Sequence, residues 1–222
     1  MRPSFATAYQ WRGTLLLSNG DLAGGLASLE RASALDPRSR VVAENHAVAL
    51  RMLGRDADAK TRCMQALAFA PNYGSCLEDV GMAELTLGDF AAARTNFERQ
   101  AAVDNPSAGA QGRELVETLS GHGDKHALAV RYAALPFNSK FDPASGNALE
   151  GYDIPSVLML LGERELALGY LEGLAEKLGG TADWAMMLPV LDPIRCEPRF
   201  VAVVQRLKTT DPYATKVCAG KR

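Results

Sequence analysis

Three histidines, four cysteines and 26 carboxylates are the side chains from which this 222-residue chain would have to assemble a catalytic or metal site. His122 and His126 stand four apart with Asp124 between them, a spacing that sets two imidazoles on one helix face for a zinc ion. Gly121 and Gly123 break that reading, because they put His122 in a turn ahead of the helix. His46 falls inside a helical stretch and reads as a partly buried, hydrogen-bonded core residue. Cys63, Cys76, Cys196 and Cys218 show neither CxxC nor a Cys/His cadence. No GxxxxGK[ST] loop occurs, "GDLAGG" is an inter-helix turn, and "GNALEGYD" lacks a GxSxG elbow. Adjacent carboxylates such as Glu78 and Asp79 point to different sectors of a helix. The expectation is a chain with no catalytic residues, no metal and no cofactor.

Composition narrows the classes further. Apolar residues make up 47% and charged residues 23%, an ordinary globular balance. No run approaches the roughly 18 uninterrupted apolar residues of a membrane-spanning helix. A net charge of −2 argues against a dedicated nucleic-acid binder. The charge is uneven: residues 192–222 carry seven Lys/Arg against three Asp/Glu, which reads as a solvated basic tail.

The elements that carry these side chains repeat. Gly20, Gly54 and Gly88 recur at intervals of 34, Pro3, Pro37 and Pro71 keep the same step, and Pro106 follows one residue late. Between them stand "GDLAGGLASLERASALDP", "GRDADAKTRCMQALAFAP" and "GDFAAARTNFERQAAVDNP". Each unit reads as a helical hairpin. In the first, Tyr9, Gly13, Leu16 and Leu17 mark one helix face, and Asn19–Gly20 supplies a left-handed turn. Leu22, Leu26, Leu29 and Ala32 mark the second helix, which Asp36–Pro37 stops. Small residues at the crossings (Gly13, Ala47 and Gly81; Gly25, Ala59 and Ala93) let paired backbones approach, while Leu29, Cys63 and Phe97 point toward the next hairpin.

These units resemble tetratricopeptide repeats, whose pattern is aromatic–x2–Leu–Gly–x2–Tyr, then Ala–x3–Phe, then Pro. The matches are Tyr9, Gly13, Leu16, Leu29 and Pro37; Ala47, Leu50, Ala59, Cys63 and Pro71; and Leu77, Gly81, Ala93, Phe97 and Pro106. Gly25, Ala43, Glu84 and Gln100 depart from it. The resemblance implies an all-α, right-handed solenoid with units at 6–39, 40–73 and 74–107 inside residues 1–107, closed by a carboxyl-terminal capping helix.

Beyond residue 107 the pattern loosens. Residues 108–136 read as a degenerate fourth hairpin, with Leu115 and Leu119 before "GHGD" and Ala127, Val130 and Ala134 after it. Residues 137–154 read as a long loop. Residues 155–222 hold a fifth hairpin-like unit (Gly162, Ala167, Leu171, Leu174, with Gly179–Gly180 ending its helix) and closing helices in the same solenoid. Asp192–Pro193 reads as a cap and first helical residue, and a second start at Glu197–Pro198 opens a helix striped by Phe200, Val203, Val204 and Leu207. The Leu-Asp-Pro…Arg…Pro-Arg-Phe stretch resembles the ends of repeat regions in bacterial adenylate cyclases and CadC-like winged-helix regulators. Pro3 sits where the closing proline of an earlier repeat would stand. The chain therefore reads as a carboxyl-terminal piece of a longer regulator, or as a short protein whose first helix is buried by dimerisation.

The resemblance implies a non-catalytic protein–protein interaction module. Its first helices line a concave face that takes a peptide or partner helix, or the chain self-associates. Gln10, Trp11, Thr14 and Leu17 fall on that face, followed by Glu44, Asn45, Val48 and Arg51, then Glu78, Asp79, Met82 and Leu85. Trp11 is either a binding anchor or a residue left over from packing on a missing repeat. Of the residues that clamp a chaperone-tail carboxylate in this family only Asn45 matches, while Gln10, Thr14, Ser75 and Asp79 occupy the other places. With Glu44, Glu78 and Asp79 inward, an apolar or basic partner is expected over an acidic one. A small-ligand sensor with a pocket near Trp184, Met186 and Met187 is the alternative. Cys63 and Cys76 lie on neighbouring helices, so they are buried apolar residues or, in an oxidising compartment, one bridge. A cyclase-type host implies the cytoplasm, and a membrane-tethered regulator implies the periplasm.

Overall fold

At Gly20, Gly54 and Gly88 the backbone takes φ values of +80°, +69° and +78°, a left-handed conformation that glycine adopts without a Cβ clash. Each glycine closes a helix in the same way. The residue after it donates its amide five residues back (Asp21 to Leu16, Arg55 to Leu50, Asp89 to Glu84), and the glycine donates three back, capping orphan carbonyls. A fourth copy stands at Gly162, with φ +89° and Glu163 donating to Leu158. Chain reversal is thus written in identical hydrogen bonds at four places.

A computed structural model describes residues 5–135, 154–178, 184–207, 211, 213 and 217–219, with only the backbone at 178, 184 and 185. It holds two units, Met1–Val116 and Glu117–Arg222. The division falls inside the stretch that the sequence suggests as a fourth hairpin. Among the described residues there is no strand, and no helix is long and apolar enough to cross a membrane.

The first unit comprises α1 (Phe5–Ser18), α2 (Leu22–Leu35), α3 (Arg40–Met52), α4 (Asp56–Leu67), α5 (Gly74–Thr86), α6 (Phe90–Val103) and most of α7 (Pro106–Glu117). From α1 to α6 each helix packs on the next, and α3 also touches α1 and α5. Asp21 and Asp89 cap α2 and α6 by accepting from the amides of Gly24 and Ala92. The small residues sit where backbones cross: a Cβ on Gly13 would lie 2.6 Å from Leu29 Cγ, and one on Gly81 would lie 2.8 Å from Phe97 Cζ. Leu29 therefore fills its own hairpin. Phe97 serves both its own hairpin and the next helix, since a Cβ on Gly112 of α7 would reach within 2.2 Å of its ring. Cys63 bridges to the next hairpin covalently, joined to Cys76 with Cα atoms 5.1 Å apart.

In the second unit a wide turn (Thr118–His122) precedes α8 (Lys125–Ala133), α9 (Ile154–Leu160), α10 (Arg164–Leu178) and α11 (Pro198–Arg206). α9 packs on α8 and α10, and α10 also packs on α8 and α11. Ala167, Leu171 and Leu174 are buried on α10, as the fifth-unit register requires. The α8 stripe differs from expectation. Leu128, Ala129 and Tyr132 are buried while Ala127, Val130 and Ala134 face solvent, because the bulkier Leu128 and Tyr132, four apart on one helix face, take the buried side. Asp192–Pro193 starts no helix: residues 192–196 are successive turns after a short 3-10 segment, Pro189–Leu191. Pro198 does open α11, whose Phe200 and Val203, with the following Leu207, are buried. Residues 137–153 of the expected loop and Gly179–Gly180 lie outside the described residues, and Ile154 already belongs to α9.

Candidate binding surface

The helices that the sequence assigns to an open inner face, α1, α3 and α5, do lie side by side in the first unit. Their side chains are far less open than the repeat register suggests. Leu17, Asp79, Met82 and Leu85 are buried, and ten of the 13 residues of α5 have almost no surface. Arg51 is nearly as enclosed. Its Nη1 donates to Asp79 Oδ1 at 2.8 Å, and both side chains keep only 10% of their exposure. Burial pushes the Asp79 carboxyl above the usual range, and the Arg51 guanidinium opposes that rise.

The remaining carboxylates on this face are also engaged. Glu44 accepts from the Tyr73 hydroxyl, and Glu78 accepts from Gln100 Nε2 at 2.6 Å. These donors are neutral, so they hold the Glu44 and Glu78 carboxylates in place without cancelling their charge, whereas Asp79 is paired with the Arg51 cation. Gln10, Thr14, Asn45 and Val48 stay partly accessible, and Thr14 donates its hydroxyl to the Trp11 carbonyl at 2.9 Å. Trp11 alone among the twelve is wide open, at 70% exposure.

Trp11 does not stand alone on α1. Leu15 is 63% exposed and Phe5 71%, with Ala8 and Arg12 also exposed on the same helix. The 34-residue register shows what this face is. Ala8, Arg12 and Leu15 correspond to Val42, His46 and Ala49 on α3 and to Cys76, Val80 and Ala83 on α5. On α3 that face meets α2, where His46 Nδ1 lies 3.2 Å from Ser33 Oγ; on α5 it meets α4 through the Cys63–Cys76 bond. On α1 the same face, Ala8, Arg12 and Leu15, is exposed among the described residues.

Two buried polar clusters escape a reading based on periodicity. Glu84, at the tyrosine position of the repeat, accepts from Lys60 Nζ at 2.8 Å and Asn96 Nδ2 at 2.9 Å. Arg195 in the second unit is fully buried and donates to Asp192, Asp211 and the carbonyls of Met186 and Leu188. A polar side chain at an apolar register position is the one signal that marks the first cluster in advance.

The histidines form no centre. His122 lies in the wide turn beside Ser120, and His126 of α8 meets Glu163 at 2.9 Å. His46 is part-buried, and desolvation, helped by Arg62 and Arg55, lowers its pKa to about 4. Among the described residues no group of His, Cys, Asp or Glu gathers to hold a metal ion. Met186 and Met187 are buried, and the side chain of Trp184 lies outside the described atoms. No protein-family model matches the chain, and no curated protein matches it.

Proposed function

We propose that the chain is a non-catalytic interaction module of tetratricopeptide type, stacked as a right-handed solenoid, which docks a helical surface on the outer face of α1. The observation that carries this reading is the exposure of Phe5, Trp11 and Leu15 along one helix. Register supports it: on α3 and α5 the equivalent face is filled by the preceding helix, so the shape that fits α1 is an apolar helix stripe. Trp11 borders this face, in register with Asn45 and Asp79, and tryptophan is the residue type that dominates binding energy when buried. The partner is an amphipathic helix, from a preceding repeat of a longer chain, another protein or a second copy, and not an acidic tail.

Both disulfides, Cys63–Cys76 and Cys196–Cys218, favour work in an oxidising compartment. Of the two hosts that the carboxyl-terminal resemblance implies, the membrane-tethered regulator fits that better than a cytoplasmic cyclase.

Photocrosslinking tests the surface. Benzoylphenylalanine at Trp11, in the cells that naturally make the chain, is expected to give a protein adduct whose mass separates self-association from a foreign partner. The same probe at Leu87, exposed at the α5–α6 bend, is expected to give none. Equal labelling at both positions, or none at Trp11, rejects the proposal.

A further inference from the structure

The residues flanking Arg195 hold the described carboxyl-terminal residues in two ways. Arg195 has no solvent exposure, and its Nη1 donates to Asp211 Oδ1 at 2.6 Å, the Asp211 side chain being 5% exposed. The guanidinium also lies over two rings, 5.5 Å from the centroid of Phe200 on α11 and 4.9 Å from that of Tyr213. Asp211 Oδ1 accepts from the Tyr213 amide at 3.0 Å, and the Tyr213 carbonyl accepts from the Val217 amide at 2.8 Å. One residue after Arg195, Cys196 is bonded to Cys218, with Cα atoms 5.6 Å apart. A buried ion pair at Asp211 and a covalent bond at Cys218 therefore fasten the described carboxyl-terminal residues, the strap, to the adjacent residues Arg195 and Cys196.

The two disulfides differ in access. Cys63 and Cys76 are wholly buried, whereas Cys196 and Cys218 each keep part of their surface. Thiol–disulfide exchange needs a thiolate to reach a sulfur, so access sets which bond opens first. We propose that Cys196–Cys218 is a redox-responsive clasp, opened by a dithiol reductant in the folded protein while Cys63–Cys76 stays closed, and that its opening loosens the strap over Arg195. In the reaction a reductant thiolate attacks one sulfur and forms a mixed disulfide. The second reductant thiolate then displaces the protein sulfur. The two cysteines end as thiols with two electrons and two protons gained, and the dithiol ends as a disulfide. Among the described contacts, the Arg195–Asp211 pair and the Tyr213 ring persist, but without the covalent restraint that kept their partners at high local concentration.

The test treats the oxidised full chain with dithiothreitol under native conditions, quenches with an alkylating agent and locates the label by mass spectrometry. Cys196 and Cys218 are expected to label at least about tenfold faster than Cys63 and Cys76. In the selectively reduced protein, amide hydrogen exchange at Tyr213 and Val217 is expected to accelerate by a similar factor, while that of Val80 in α5 does not change. A C196S/C218S double variant should reproduce that exchange pattern without reductant. Opening of both bonds at one rate, unchanged exchange at Tyr213 and Val217, or loss of protection at Val80 together with the strap would each overturn the proposal.

Discussion

Arg51 of the second hairpin reaches Asp79 of the third across 2.8 Å, and both groups are almost completely withdrawn from water. Such a pair contributes little by existing, since desolvation offsets its attraction, but it is costly to break from one side. Arg51→Ala is expected to lower stability by about 3 kcal/mol in urea unfolding near neutral pH, whereas a joint R51M/D79L replacement costs far less. The Asp79 pKa is already raised by burial, and loss of Arg51 raises it further. The native state then binds a proton more readily than the unfolded chain, so the R51A deficit should narrow as pH falls.

Gly81 and Gly88 lie seven residues apart on the same hairpin and fail for different reasons when replaced. A Cβ on Gly81 would press on the Phe97 ring at 2.8 Å, so Gly81→Ala should cost about 2 kcal/mol by overpacking. A smaller ring substitute, Phe97→Leu, should recover part of that loss. Gly88 has open space around it and a φ of +78°, so Gly88→Ala should cost about 1 kcal/mol from the backbone alone, with no rescue by F97L. Denaturation midpoints of the wild type, F97L, and each glycine variant with and without F97L separate the two causes.

His46 is held neutral, with its pKa lowered from 6.5 to about 4 chiefly by burial. The unfolded chain therefore binds the proton first as pH drops. The stability this gives is full above about 6.5, declines between 6.5 and 4, and changes no further below. The slope is at most about 1.4 kcal/mol per pH unit for one proton. Asp79 and Asp56, both raised by burial, act in the opposite sense at the acid end, so the contribution of His46 is read by difference. His46→Gln should flatten the decline between pH 6.5 and 4, and an unchanged slope would show that the proton enters elsewhere.

The hairpins were legible because their signals are local. Gly20, Gly54 and Gly88 each fix a turn through their own φ, and the crossings at Gly13 and Gly81 follow from side-chain size at one spacing. The binding face was half legible. Trp11 stands out from sequence, but Leu17, Met82 and Leu85 were assigned to the surface because register names a helix sector without showing what encloses it. Leu15 was missed for the converse reason: its register equivalents Ala49 and Ala83 are buried on α3 and α5, while Leu15 itself is bare on α1. Arg195 and the Cys196–Cys218 bond depend on residues 16 and 22 positions downstream, and no periodic pattern joins such partners.

The outer face of α1 is read as an unfilled copy of the seams between α2 and α3 and between α4 and α5. Supplying a helix pair in register tests that most directly: a duplicate of residues 40–73 joined directly ahead of residue 6 continues the 34-residue step. Fluorescence in a Trp184→Phe background isolates Trp11. The expected result is a blue-shifted Trp11 emission together with a melting temperature raised by about 4 °C or more. Unshifted emission with an unchanged melting temperature would contradict the account, because a helix offered in register would then have found no seat on α1.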